Sequence, residues 1–212
     1  MRLRLTAPWF MGAAFCAAAV VAVLTLAVFG SAEPGTDLAL QATARFSFLL
    51  FSAAYAGSGM AALFGPTFDG LKRHGRDFGL AFASAHLVHM GLVAWLCWIG
   101  AVPKRGVFVF FGIALFFTYL LALLSIKRVQ QMLSRRAWWV VRTVGMNYIA
   151  YAFFVDFLKH PLEGSAKHVI EYAPFVTLSI AGAVVYFAAL ALPAARRLRA
   201  RVAGEGVARP SL

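Results

Sequence analysis

Six apolar runs, each of about twenty residues and each followed by a polar, basic or Gly/Pro-containing connection, dominate this chain. They cover residues 9–29, 45–64, 79–96, 107–124, 138–158 and 172–192. As helices, segments of that length cross the roughly 30 Å hydrocarbon core of a bilayer. Lipid offers no partner to an open backbone group, so a spanning segment must satisfy its own, which selects helix over open sheet. The expected fold is an all-α membrane protein: a six-transmembrane-helix bundle over residues 1–195 with a basic, disordered tail at 196–212. The 212 residues are 62% hydrophobic and 13% charged, which leaves no stretch for a soluble catalytic domain. The first run begins with Arg2 and Arg4 like a signal peptide, but it is too long and lacks a cleavage site, so a retained helix is expected.

The formal charge of +12 sits beside the apolar runs, where it reads as orientation and lipid contact rather than nucleic-acid binding. Arg2, Arg4, Lys72, Arg73, Arg76, Lys127, Arg128, Arg135, Arg136, Arg196, Arg197, Arg199, Arg201 and Arg209 fall on one side of a six-span topology. Only Arg45, Lys104, Arg105, Lys159 and Lys167 fall on the other. The positive-inside rule then puts both termini in the cytoplasm. The connections 30–44, 65–77 and 159–168 read as polar loops, and 126–137 as a basic amphipathic segment on the cytoplasmic surface. Cys16 and Cys97 lie inside apolar runs and support neither a disulfide framework nor a zinc site. There is no GxGxxG loop, P-loop, HExxH helix or GxSxG elbow, which argues against a hydrolase, a kinase and an intrinsic FAD or NAD site.

Polar residues at hydrocarbon depth are the functional candidates. His86 and His89, three apart on the third run, lie within about 60° of one another on a helix. Each either donates to a carbonyl or a Ser/Thr hydroxyl on a neighbouring helix, or ligates the iron of a buried haem. Arg142 and Asp156 are fourteen residues apart on the fifth run, within about 40° on one face and near opposite membrane surfaces. Arg142 is an interfacial snorkel or a contact for a propionate or headgroup. Asp156 is a solvated helix end or a proton or cation contact. Arg45, read at the external start of the second span, snorkels or holds an anionic group. Trp95, Trp98, Trp138 and Trp139 read as interface anchors, and His74, His160 and His168 as loop residues.

Residues 37–158 resemble the ferric-reductase-like transmembrane domain family. The closest likeness is to its short bacterial branch, the haem-binding membrane subunits that supply electrons to periplasmic methionine sulfoxide reductase. TDLALQATARFSFLL resembles the family's approach to span two, with Ala44-Arg45 where the family has Gly-Arg. RHGRDFGLAFASAHLVHMGLVAWL resembles its basic loop and third span, Gly79 and His89 matching a glycine followed ten residues later by a haem-ligating histidine. GIALFFTYLLALLSIKRVQQML, from Gly112 to Leu133, resembles its fourth span and basic connection, with a Trp opening span five.

The resemblance implies a haem b electron-transfer subunit of a bacterial inner membrane, served by quinone or a redox partner protein. It also implies iron-ligating roles for His89 and His86, with Arg142, Asp156 and Arg45 around the cofactor. The chain departs from the family in span five, where the haem histidines fall on Asp156 and on Thr143 or Arg142. Three readings follow: one haem ligated by His89 or His86 with an unusual or open second position; a haem-less membrane partner, assembly or lipid- or quinone-binding protein; and a small proton or ion carrier using Asp156 and the histidines.

Overall fold

The computed structural model describes residues 7–163 and 166–205, apart from the side chains of 127, 128, 160–163, 166–168 and 193–205. Arg2, Arg4, Arg209 and the rest of 206–212 lie outside the described residues. So do the side chains of His160, Lys167, His168, Arg196, Arg197, Arg199 and Arg201. The described chain is helical throughout, with no strand among its elements. Its helices are α1 (Ala7–Phe29), α2 (Glu33–Phe64), α3 (Asp69–Trp98), α4 (Arg105–Leu124), the single turn α5 (Lys127–Gln130), α6 (Arg135–Glu163) and α7 (Ala166–Glu205).

Five stretches are long and apolar enough to cross a membrane: Ala7–Phe29, Glu33–Phe64, Pro66–Trp98, Arg105–Leu124 and Val169–Leu192. The remaining long helix, α6, has 29 residues, and Arg142, Asn147 and Asp156 make it the most polar of the set.

The helices outrun the apolar runs. Residues 33–44, expected as loop, form the first three turns of α2, because Glu33 and Pro34 supply a favourable first turn. Gly30, at φ 85°, turns the chain tightly from α1 into α2, and a Cβ on Gly35 would collide with the Gly30 carbonyl oxygen. Arg45 is consequently about three turns inside α2, not at its start. Most of the basic 65–77 segment is likewise helical, since α3 begins at Asp69 after a 3₁₀ turn at Pro66–Phe68. Of the expected surface segment 126–137, only α5 and the first turn of α6 are helical. α6 runs on to Glu163, and α7 continues past Pro193 to Glu205.

With lipid as solvent, close packing and interhelical hydrogen bonds hold helices together rather than water exclusion. Ala14 and Ala18 of α1 pack on Ala81 and Ala85 of α3, and Ala22 packs on Ala39 of α2, so small side chains bring three helices into close contact. Gly59 lets α2 approach the backbone of α7 at Val185. The largest core is aromatic: Phe48, Phe51 and Tyr55 of α2 meet Phe82 of α3, Phe153 and Phe157 of α6, and Tyr172 of α7. Phe48 and Phe153 have ring centroids 5.2 Å apart, and Phe48 and Phe157 4.9 Å. Asn147, polar and inside α6, is satisfied structurally. It accepts from the Tyr55 hydroxyl at 2.8 Å and donates to the Thr143 carbonyl at 2.8 Å, tying α2 to α6. α4 leans on α6 and meets α3 only sparsely, which leaves a seam between α2, α3, α4 and α6.

Candidate functional site

The seam holds two cavities placed end to end, with Phe82, Thr118 and Ile149 lining both. The larger, of about 400 Å³, lies at the end built from the N-terminal half of α2, the C-terminal half of α3, the start of α4 and the C-terminal half of α6. His86 and His89 form part of its wall, with Asp37, Gln41 and Asp156 as its other strongly polar residues; Phe82, Phe108, Phe111 and Phe153 supply aromatic surface. The smaller, of about 250 Å³, lies towards the opposite end and is lined by Arg76 and Arg142.

Helix periodicity and burial together fix the imidazoles. Their rings stack at a centroid distance of 5.0 Å and an interplanar angle of 15°. His89 Nδ1 is 3.1 Å from Thr43 Oγ1, and Thr43 is fully buried on α2. The Thr43 hydroxyl is itself 2.8 Å from the Ala39 carbonyl and 3.1 Å from the Leu40 carbonyl, one turn back in its own helix. Its single proton therefore goes to a carbonyl, and its lone pair accepts from His89 Nδ1–H. His89 is thus held as the Nδ1–H tautomer with the lone pair on Nε2, the orientation by which an outer hydrogen bond prepares a histidine to bind a metal or accept a proton.

His86 is placed differently. Its Nδ1 is enclosed and has no hydrogen-bond partner, and its ring lies against Phe82 at 5.5 Å. An enclosed N–H without an acceptor is rarer than a lone pair without a donor, so the proton belongs on Nε2. The pair offers a ligand one acceptor, from His89, and one donor, from His86.

Of the five expected site residues, the structure brings three together: His86, His89 and Asp156 line the larger cavity. Arg142 lines the smaller one, so it and Asp156 sit at two ends of the same seam. Arg45 lines neither. It faces α7, with its guanidinium 3.9 Å from the Glu171 carboxylate and 4.4 Å from the centre of the Tyr172 ring. Thr43, Asp37, Gln41 and Arg76 went unmarked as site residues. The first three fall where a loop was expected instead of helix, and helical spacing from His89 has no meaning across a loop. The three histidines expected on loops fall within helices, His74 on α3, His160 on α6 and His168 on α7, and His74 pairs with Asp77 at 3.0 Å and stacks on Phe10, an ordinary surface role.

A haem fits this wall poorly. The two imidazoles rise from one helix with nearly parallel stacked rings, so they cannot approach one iron from opposite sides. Across the cavity, among the described side chains, α4 and α6 present Thr118, Ile149, Ala152, Phe153 and Asp156, and no second imidazole. Asp37 and Asp156 are carboxylates, and among the described residues no Lys or Arg lines the cavity to receive propionates. Among the described residues, no group of three or more His, Cys, Asp or Glu is placed to hold a metal ion. Comparison with protein-family models, curated proteins and solved structures gives no match to this chain.

Proposed function

We propose that this chain is a six-span bacterial inner-membrane protein of the ferric-reductase-like class, with both termini cytoplasmic, that binds a lipid-soluble molecule in its histidine-walled cavity instead of a bis-histidine haem. The chemistry favours a neutral, flat head bearing O–H groups, as in a quinol. The His89 lone pair accepts from one hydroxyl, His86 Nε2–H donates to an oxygen, and the aromatic wall covers the ring. The observation that carries this reading is the Thr43–His89 hydrogen bond, which fixes the His89 lone pair as a neutral acceptor in a cavity whose wall is largely apolar. In this reading the protein is a ligand-binding membrane partner, and any electron transfer needs a separate redox protein.

The resemblance in sequence supports a second reading, haem b held on one side by His89. In that case His89 would supply the axial nitrogen, and the haem would supply one-electron chemistry for a partner protein.

One preparation separates the two. The protein is purified in detergent from haem-replete cells, its absorption is recorded with and without dithionite, and a short-tailed benzoquinol is titrated calorimetrically. The expected result is a colourless sample that binds the quinol, with His89→Ala weakening binding about tenfold or more, the equivalent of one buried hydrogen bond. A b-type spectrum that disappears in His89→Ala, or quinol binding that ignores the substitution, would overturn the first reading.

A further inference from the structure

The smaller cavity carries chemistry that the histidine cavity lacks. Arg76 on α3 and Arg142 on α6 both line it, along with Gln130 and the indole of Trp138. Among the described residues neither guanidinium is paired with a carboxylate, whereas the nearby Asp77 is held by His74. Phe51, Leu121, Met146 and Ile149 supply apolar wall, and the lining hydroxyls of Thr118 and Ser125 are bonded to carbonyls of their own helix. Two unneutralised guanidinium forks over an apolar floor match an oxyanion that carries a hydrocarbon chain.

We propose that this cavity is a binding site for an acidic phospholipid, with the phosphate between Arg76 and Arg142 and an acyl chain passing inward along the seam. The location suits that ligand. Arg76 and Arg142 are themselves exposed, and Lys72, Arg73, Arg135 and Arg136, also exposed, gather at the same end, near the starts of α3 and α6, where anionic headgroups would lie. α3 and α4 make only sparse contact, so the path proposed for the acyl chain runs laterally between them. Phe82, Thr118 and Ile149, shared with the histidine cavity, set the inner limit of the chain. A soluble phosphate would leave the apolar floor uncovered, and a zwitterionic lipid would bring its own cation against two arginines.

The test uses the full-length protein exchanged into detergent with dioleoyl phosphatidylglycerol or dioleoyl phosphatidylcholine, lipid retention being read by native mass spectrometry. Wild type is expected to retain phosphatidylglycerol selectively. Arg76→Gln and Arg142→Gln should each weaken retention about tenfold, as expected for a lost charge-assisted hydrogen bond. Arg73→Gln, which removes an equal charge from the same end but does not line the cavity, should leave retention unchanged. Size-exclusion profiles identical to wild type show that the variants fold. The proposal is overturned if Arg73→Gln is as damaging as Arg76→Gln, if the Arg76/Arg142 double variant still prefers phosphatidylglycerol, or if free oleate displaces it at equal concentration. The last outcome would show a carboxylate site in place of a phosphate site.

Discussion

Replacing Thr43 with Val is the sharpest probe of the histidine cavity, because it keeps the shape of a fully buried side chain and removes only the hydroxyl. That hydroxyl is 3.1 Å from His89 Nδ1. Losing it removes the acceptor that the His89 Nδ1–H meets. The cost is therefore that of one neutral hydrogen bond, about 1 kcal/mol, at the lower end of the range for a buried donor left without its acceptor. A loss of that size means about a fivefold drop in affinity for any ligand that uses the His89 lone pair, somewhat below the usual range for outer-sphere histidine partners. The assay is calorimetric titration with the benzoquinol, alongside thermal unfolding in the same detergent. Thr43→Ser, which keeps the hydroxyl, is expected within about twofold of wild type because the hydrogen bond survives. If Thr43→Val binds as tightly as wild type, or if Thr43→Ser is equally impaired, the hydroxyl does not orient the imidazole and the tautomer assigned to His89 is wrong.

Two further outcomes concern the frame that carries the site. Gly59→Ala places a methyl about 2.9 Å from both the Val185 carbonyl oxygen and its side chain, so α7 must move off α2; a loss of about 1–3 kcal/mol is expected in a denaturant titration. Tyr55→Phe leaves Asn147 Oδ1 without its donor at the α2–α6 contact, and should cost about 1–2 kcal/mol in the same titration while leaving ligand affinity unchanged, since neither residue lines the histidine cavity.

Hydropathy alone located helices of spanning length, because lipid leaves a chain few other ways to satisfy its backbone, and five of the apolar runs recur as candidate spans. It also marked His86, His89, Arg142 and Asp156, since polar atoms stand out against an apolar background and helical spacing fixes which of them share a face. What it placed badly were helix ends. Residues 33–44 carry Glu33, Pro34, Gly35 and Asp37 and read as a loop, yet continued helix is favourable there because α1 and α3 pack against Ala39 and the turn at Gly30 closes tightly. That misplaced boundary hid Thr43 and put Arg45 on the wrong level of the bundle.

The sequence by itself determined the solvent of this protein, the spacing of its half-buried imidazoles and the periodicity that puts Arg142 and Asp156 on one side of α6. Only the tertiary structure decided which partner each polar group meets. Thr43 turns His89 Nδ1 away from the cavity, Glu171 and Tyr172 draw Arg45 towards α7, and the loose contact between α3 and α4 opens a seam with histidines and carboxylates towards one end and arginines towards the other. Those pairings lie between helices far apart in sequence, where no local period reaches, so they are fixed only once the helices pack.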